Sequence, residues 1–326
     1  MNGTSLQKRV ALVTGGTDGI GKAIAHVLAS QGMGVVIVGS NPGKGAAAAR
    51  ELSEACGNDS VCFLQADLST ISSVDTLAAD VSARWPRLHC LVLCAGIMRG
   101  RYTLTSEEIE TNFALNYLSR FALTESLLPC LVAGGRDGAA ARILVIGGAA
   151  QNGRIYYEDP NLTQRFNILR VVAQFCAAND EFVVEQARRI AADDPPANVT
   201  ITTLKVGAVR TAIRRQFPFW MKLLVPILVD PFLSSSTGQI AASAQRLLLG
   251  PEFEGVTGAL FRHIRRFKRV QPGLYTGDPD RGRRLWDLSE QLSARVRSGS
   301  RAEDDAPSIS GDIHEHVSDL KKSRSL

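Results

Sequence analysis

The sequence predicts an α/β protein whose core is one parallel sheet, doubly wound with helices on both faces. Strand-length apolar runs alternate with longer helical patterns along the chain, and this alternation is typical of parallel sheets with crossover helices. Two of the runs, 35–38 and 91–93, are apolar at every position, as expected of strands that are buried on both faces. The chain has 326 residues, which is enough for a single domain with a large core.

The first strand, 10–13, leads into a glycine-rich turn and then a helix. The turn runs from Thr14 to Gly21 and reads Thr-Gly-Gly-Thr-Asp-Gly-Ile-Gly. Glycines let the backbone turn tightly and approach a pyrophosphate, and the N–H groups and positive dipole end of the next helix favour an anion. The turn therefore predicts a phosphate-binding site, with an ordinary strand-to-helix connection as the alternative.

The remaining elements continue the alternation, and right-handed crossovers between them give a Rossmann-type fold. The later predicted strands are 35–38, 61–65, 88–93, 142–146 and 199–204. The later predicted helices are 43–56, 71–84, 107–132, 164–192 and 235–249, with prolines 195 and 196 ending the fourth of these.

The predicted domain spans residues 9–292, after a flexible N-terminus at 1–8. From residue 293 to 326 the chain is rich in Ser, Arg, Asp and Glu and has few large apolar residues. Such a segment cannot bury enough surface to offset its ordering entropy, so we expect a disordered polar tail.

Composition argues against several classes of protein. The six cysteines form no Cys-x-x-Cys pair and the five histidines make no ligand-spaced cluster with them, so neither a disulfide framework nor a metal site is predicted. The first residues lack the pattern of a signal peptide, and we expect a cytoplasmic protein that is not secreted. A net charge of +5 without a nucleic-acid motif gives no reason to expect DNA or RNA binding.

The spacing Thr-Gly-x-x-x-Gly-x-Gly at the turn resembles that of the short-chain dehydrogenase/reductase family. The resemblance covers roughly residues 9–292, and further motifs follow in the family's order. One of them, from Arg284 to Ser289, resembles the C-terminal helix of the retinol dehydrogenase branch. The resemblance implies an oxidoreductase fold that binds a nicotinamide dinucleotide.

The same resemblance implies a set of cofactor-binding residues. Asp67 would lie beside the adenine, although a loop Asp that caps the next helix is an equal alternative. Cys94 and Val206 stand where the family usually has Asn and Pro, which leaves open a vestigial cofactor site. The implied set is Thr14, Gly15, Gly19, Ile20, Gly21, Ser40, Asn41, Asp67, Leu68, Cys94, Ala95, Gly96, Gly207 and Thr211.

The end of the second strand favours NADP over NAD. An acid there would bind the ribose 2′-hydroxyl and repel a 2′-phosphate, but the chain has Gly39-Ser40-Asn41. Ser40 and Asn41 can donate hydrogen bonds to a phosphate, and Lys44 or Lys22 can supply charge. Asp18 opposes this preference.

Most of the catalytic residues that the resemblance implies are replaced. The family uses a Tyr and, four residues later on the same helix face, a Lys that lowers the pKa of the phenol and holds the nicotinamide ribose. It also uses a Ser on the fifth strand and an Asn in the central helix. No Tyr-x-x-x-Lys occurs in this chain. At the end of the fifth strand, Gly147-Gly148 occupies the place of the Ser, with Gly148 at the Ser position. Aligning the active-site helix on residues 178–179 and 185–190 puts Val172 at the Tyr position and Cys176 at the Lys position, so only Asn116 is retained.

Two interpretations of the function therefore remain open. In the first, the protein binds a dinucleotide but lacks the usual chemistry, as a pseudoenzyme that binds, senses or acts as a scaffold. In the second, it is an active NADP-dependent oxidoreductase that acts on an apolar alcohol or carbonyl with an atypical proton donor. We expect Tyr156 and Tyr157 to be packing residues and Cys176 to be a buried thiol.

The ligand and the partners are less well defined by the sequence. The apolar segment 217–233 lies where the family has its variable substrate lid, which implies an apolar ligand. This segment is too short and interrupted to span a membrane, but it can lie on one. Arg262–Arg269 would add attraction to anionic lipid, with a solvated basic face as the alternative. The resemblance also implies a homodimer through helices 107–132 and 164–192.

Overall fold

The computed structural model describes residues 9–150, 152–193, 197–209, 234–273 and 276–304. The strands within these ranges are β1 (Val10–Thr14), β2 (Gly34–Gly39), β3 (Val61–Gln65), β4 (Cys90–Leu93), β5 (Ala141–Gly148), β6 (Val199–Val206), β7 (Ala208–Val209), β8 (Ser234–Ser235), β9 (Ala259–His263) and β10 (Phe267–Val270). The longer helices are α1 (Gly19–Ser30), α2 (Pro42–Cys56), α3 (Ile71–Arg84), α4 (Ser119–Gly135), α5 (Ile168–Ala192), α6 (Thr237–Leu249) and α7 (Pro279–Asp304).

Eight of the strands form one sheet in the order β10-β9-β6-β5-β4-β1-β2-β3, and β7 pairs with β8 separately. Neighbours in the large sheet are parallel except for the antiparallel pair of β9 and β10. The chain reverses direction in the sheet order after β3, so the ends of β1 and β4 lie side by side at the switch point where such folds bind ligands. The predicted fold class is confirmed.

Two apolar clusters cover the two faces of the sheet. One contains side chains of α3, α4, α5 and α7, and the other contains side chains of α1, α2 and α6. Side chains alternate between the faces along each strand, so Ile143 and Val145 enter the first cluster and Leu144 and Ile146 the second. The buried sheet therefore holds the carboxyl ends of its strands in fixed positions.

The central helix is not uniform. Its first turn, Thr111–Phe113, starts where the Glu110 carboxylate accepts hydrogen bonds from the N–H groups of Asn112 and Phe113. A π-helical turn, Ala114–Leu118, then connects it to α4. The predicted helix at 107–132 therefore starts four residues too early, because Glu110 serves as the cap.

Strand β10 was not predicted. The basic run Arg262–Arg269 contains the end of β9, a short turn and most of β10. Phe253, Phe261 and Phe267 pack together beneath this hairpin, with centroids 5.3 to 5.8 Å apart. Apolar positions are few in this run, so its sequence resembles a solvated loop and the aromatic cluster is formed only in the fold.

The last helix extends beyond the predicted domain boundary at residue 292. Ser293 is buried, Val296 packs on the core, and the guanidinium of Arg297 contacts Asp75 of α3 at 2.8 Å. Tertiary contacts thus hold residues 293–297, and the helix continues to Asp304, although composition alone assigned this segment to a disordered tail. Residues 305–326 and 1–8 lie outside the described residues. No helix in the described ranges is long and apolar enough to cross a membrane.

Candidate functional site

The glycine turn after β1 packs closely against the end of β4. Gly15 and Gly19 have φ angles of +66° and +56°, which glycine adopts without strain. A Cβ on Gly15 would lie 2.8 Å from the Cα of Ala95, and one on Gly21 would overlap the carbonyl group of Gly15. The turn thus presents bare backbone at the start of α1, where the first N–H groups of the helix have no partner within the helix. This geometry fits a pyrophosphate.

Thr14 has a structural role in this arrangement. Its hydroxyl donates to the carbonyl oxygen of Val92 at 3.2 Å and accepts from the N–H groups of Cys94 and Ala95 at 3.0 and 3.2 Å. Thr14 is buried. It therefore fixes the ends of β1 and β4 relative to each other. Ile20 packs on the apolar cluster beneath α1.

The residues expected at the adenosine ribose are already engaged. The Lys44 ammonium lies 2.5 Å from the Asp18 carboxylate, and the Lys22 ammonium lies 2.5 Å from that of Glu51. The Asn41 side chain accepts from the N–H of Lys44 and so caps α2. Both lysines that were expected to bind a 2′-phosphate are thus paired with acids, which weakens the argument for NADP.

Asp67 and Leu68 follow β3 at the same edge of the sheet. Asp67 is exposed and its Oδ1 accepts from the N–H of Ser69 at 3.0 Å, while Leu68 is buried. The Asp67 side chain does not cap α3. The Glu107 carboxylate does so, since it accepts from the N–H groups of Ile71 and Ser72. Asp67 therefore faces solvent beside the site.

The retained Asn116 clamps the chain that follows β4. Its Oδ1 accepts from the N–H of Ile97 at 3.1 Å, and its Nδ2 donates to the carbonyl oxygens of Ile97 and Asn112. A Cβ on Gly96 would lie 2.7 Å from this Oδ1. Burial raises the pKa of the Cys94 thiol to about 12, so Cys94 offers no charge here.

Arg120 is a residue of this site that the sequence reasoning missed. Its side chain is buried, and its guanidinium donates to the carbonyl oxygens of Ala95 and Ile146 and to Oδ1 of Asn179. Burial lowers the pKa of Arg120 to about 10. Arg120 thus links the ends of β4 and β5 to α5. The Asn179 amide joins α5 to the π turn, because it donates to the carbonyl oxygen of Asn116. An Arg in an apolar helix run was the available sequence signal.

The structure brings together two of the three residues that the sequence resemblance aligns with catalytic positions. Gly148 ends β5, and a Cβ on it would lie only 2.8 Å from Sγ of Cys176 on α5. Burial raises the pKa of the Cys176 thiol to about 11, so it is a neutral thiol. Val172, one turn before, is half-buried against the core. The thiol fills the space that a serine side chain at residue 148 would need.

A buried ion pair, also missed from the sequence, lies beside this contact. The Lys205 ammonium, at the end of β6, contacts the carboxylate of Asp180, one helical turn after Cys176. Both side chains are buried. The charge of Lys205 is near enough to act against the rise in the pKa of Cys176. A positive charge thus lies close to residue 176. It belongs to Lys205 of strand β6, whereas the family's catalytic lysine would lie on the helix itself.

The two loop tyrosines have other partners. Tyr157 donates from its hydroxyl to the carbonyl oxygen of Arg281 at 3.3 Å, and the Arg284 guanidinium lies over its ring. Tyr156 and Tyr157 line an open cavity of about 470 Å³ beside α7. Gly207 follows β6 at the site edge. Thr211 and the apolar segment 217–233 lie outside the described residues.

Sequence comparison identifies relatives over most of the chain. A family model described as short chain dehydrogenase matches residues 9–157. Polyprenol dehydrogenase of Homo sapiens is 32% identical over 251 residues, which cover 77% of this chain and 75% of that protein. Retinol dehydrogenase 14 of Homo sapiens is 29% identical over 305 residues, which cover 87% of this chain and 86% of that protein.

Comparison of folds gives a consistent picture. A crystal structure of an uncharacterized protein from Mycobacterium Paratuberculosis has a TM-score of 0.67 at 25% identity and covers 88% of this chain and 94% of its own. The Pseudomonas aeruginosa RhlG/NADP active-site complex has a TM-score of 0.62 at 22% identity, covering 84% and 99%. At 22% identity the second likeness concerns the fold alone.

Proposed function

Because this chain belongs to the short-chain dehydrogenase/reductase family, in its retinol dehydrogenase-like branch, we propose that it binds a nicotinamide dinucleotide but does not use the family's usual chemistry. The fold and the glycine turn support the binding half of this proposal. A bound nicotinamide would supply or accept the hydride. The residues of this chain would hold its pyrophosphate at the turn from Gly15 to Gly21 and its nicotinamide half near Gly148 and Gly207.

The contact between Gly148 and Cys176 is the observation that carries the second half of the proposal. A hydroxyl donor and a Tyr–Lys pair supply the proton transfer in the family, and positioned acid–base groups of this kind are worth roughly a hundred- to ten-thousand-fold in rate. Here a neutral thiol occupies the space of the serine. The proposed role is therefore binding, sensing or scaffolding.

Calorimetric titration with NADPH and NADH tests the binding half. We propose NADP as the preferred form because no acid follows β2, although a 2′-phosphate must compete with Asp18 for Lys44. NADPH should bind more tightly than NADH, and Asp18→Asn should widen the difference. If neither dinucleotide binds, the cofactor site is vestigial and the proposal is wrong.

Turnover measurements test the catalytic half. With NADPH and a long-chain aldehyde, the protein should be far slower than an active retinol dehydrogenase measured in parallel. The combined variant Gly148→Ser, Val172→Tyr, Cys176→Lys should gain activity over the parent. Ordinary enzyme rates in the parent, abolished by Asn116→Ala, would contradict the proposal.

An active oxidoreductase with an atypical proton donor is the second candidate. Relatives that cover three quarters or more of the chain are named as dehydrogenases of polyprenol and retinol, and both names denote apolar alcohols. The apolar segment 217–233 is consistent with a ligand of this kind. The activity test above distinguishes the two candidates. For either one we also propose that the protein works inside the cell, with peripheral contact to a membrane.

A further inference from the structure

Three cationic side chains lie next to one another across strands β6, β9 and β10. Lys205 is opposite Arg262 in the β6–β9 register, and Arg262 is opposite Lys268 in the β9–β10 register. Residues paired in this way project from the same face of the sheet, and adjacent strands are about 4.8 Å apart. We call Lys205, Arg262 and Lys268 the cation row.

The cation row lies on the same sheet face as α5. The preceding row on this face contains Val145 and Leu260, both in the apolar cluster that includes α5 side chains. Gly147, next to the replaced serine position, is opposite Lys205 and continues the row toward β5. The row therefore runs from the candidate site to the edge of the sheet. Its members become more exposed in the same direction, from buried Lys205 through half-buried Arg262 to exposed Lys268.

The positive charge of the row is not balanced by the residues that the structure describes. Asp180 pairs with Lys205, but among the described ranges no carboxylate forms an ion pair with Arg262 or Lys268. Like charges directly opposite one another destabilise a sheet. The row thus costs stability in the free protein, and a bound anion would remove that cost.

The pyrophosphate of a dinucleotide is not the anion that this row would bind. The glycine turn follows β1, whereas β6 lies three strands away and β9 lies four strands away. At about 4.8 Å per strand, the nearest member of the row is roughly 14 Å from the cradle. A second anionic group is needed.

We propose that the cation row is a binding site for a phosphate monoester group. Three cations and the single Asp180 leave two net positive charges, which matches the charge of about −1.5 to −2 on a phosphate monoester near neutral pH. The guanidinium of Arg262 offers the forked donors that phosphate accepts in pairs. This site goes beyond the proposed dinucleotide function and does not require it.

Calorimetry with decyl phosphate, kept below its micelle concentration, tests the site on the full chain. We expect binding that weakens about tenfold or more in Arg262→Gln, since a hydrogen bond between charged groups is lost. Lys268→Gln should weaken the binding of decyl phosphate less. Decanol, which lacks the phosphate, should bind the parent and both variants equally. Arg283→Gln is the matched control, because Arg283 is an exposed arginine of α7 that pairs with Asp280. Equal affinity of the parent and Arg262→Gln would overturn the proposal.

Thermal melting gives a second test, in which Arg262→Gln should stabilise the ligand-free protein although it weakens ligand binding. Without ligand, Arg262→Gln should raise the melting temperature by about 1 to 3 °C, because it removes two like-charge contacts. The same variant should lose the additional stabilisation by decyl phosphate. A fall in the ligand-free melting temperature would mean that Arg262 stabilises the fold, and it would overturn the proposal.

The phosphate could come from a soluble ester or from a lipid bilayer, and flotation with vesicles distinguishes these sources. The vesicles contain phosphatidylcholine alone or with phosphatidic acid. Binding of decyl phosphate without flotation supports a single ester as the ligand. Flotation only with phosphatidic acid, reduced in Arg262→Gln, supports a bilayer head group. Flotation that Arg262→Gln leaves unchanged, with no binding of decyl phosphate, would overturn the proposal.

Discussion

At the scale of single residues, the positions of Gly148 and Cys176 constrain each other. The Cys176 sulfur occupies the space beside Gly148, and the ammonium of Lys205 lies nearby. A serine at residue 148 would need the thiol to move. A lysine at residue 176 would bring a second ammonium close to Lys205. The site therefore has its own compatible set of side chains, and restoring a single catalytic residue conflicts with the others.

Gly148→Ser alone should destabilise the protein by about 1–2 kcal/mol, because the new Cβ would lie too close to the sulfur of Cys176. Adding Cys176→Ala should recover most of this loss, since the alanine leaves room for the serine. Chemical denaturation of the two single variants and the double variant measures the coupling. Additive effects would contradict the contact.

Glu181 makes stability depend on pH. It is buried on α5 with Oε1 unpartnered among the described residues, and its Oε2 accepts from the N–H of Gly277. Burial raises its pKa to about 7, with Asp278 and Glu185 adding to the rise and Arg188 opposing it. Because the pKa of Glu181 is higher in the folded than in the unfolded state, its carboxyl contributes fully to the free energy of unfolding below about pH 4.5. This contribution is lost as the pH rises through about 7.

Glu181→Gln should remove this dependence, because the amide has the same shape and no charge. We expect a gain on the order of 2–3 kcal/mol at about pH 8 and little change near pH 4. Denaturant titrations across this pH range measure the effect. Asp287→Asn is the control, because it changes an exposed acid on α7. In this variant the free energy of unfolding should depend on pH as it does in the parent. An unchanged slope in Glu181→Gln would assign the pH dependence to other groups.

At the scale of elements, α7 has an aromatic anchor at Trp286. The ring of Trp286 meets the Phe121 ring edge-on at 4.9 Å, and the guanidinium of Arg189 lies 3.9 Å from its centroid. Ser289, one turn later, shares a 2.7 Å hydrogen bond with the buried hydroxyl of Tyr117. These contacts attach a strongly charged helix to α4 and α5.

Trp286→Ala should cost about 3–5 kcal/mol, as expected for removing a large buried aromatic side chain. Trp286→Phe should cost less because it keeps the edge-on ring contact. Hydrogen exchange should show lost protection in α7 while the β-sheet remains protected. Arg283→Ala, on the exposed side of α7, is the control. Equal losses in both variants would mean that the helix is not anchored at Trp286.

At the scale of the whole molecule, α7 packs mainly on α5 and also contacts α3 and α4. Two of these helices, α4 and α5, are the ones through which the sequence resemblance implies a dimer. Because the chain covers this surface with its own C-terminal helix, we predict that the full chain is a monomer in solution. Size-exclusion chromatography with light scattering measures this directly. A stable dimer of the full chain would contradict the prediction, since its partner would have to displace α7 or use another surface.

The sequence predicted the order of strands and helices because burial on two faces leaves a local pattern that does not depend on distant residues. The apolar runs at β2 and β4 and the glycines around Gly15 carry this pattern directly. The lack of a Tyr-x-x-x-Lys was also visible, since it is a property of the sequence itself. The position of Asn116 followed from its motif.

What only the tertiary structure decided involves residues that are far apart in the chain. The Lys205–Asp180 pair, the buried links of Arg120 and the cation row join different strands and helices, so no local pattern announces them. Strand β10 and residues 293–297 look polar in sequence, yet β10 packs against Phe253 and residues 293–297 pack against the core and α3. Local composition governs which segments can form strands and helices, whereas burial and pairing across the sheet decide which charges meet.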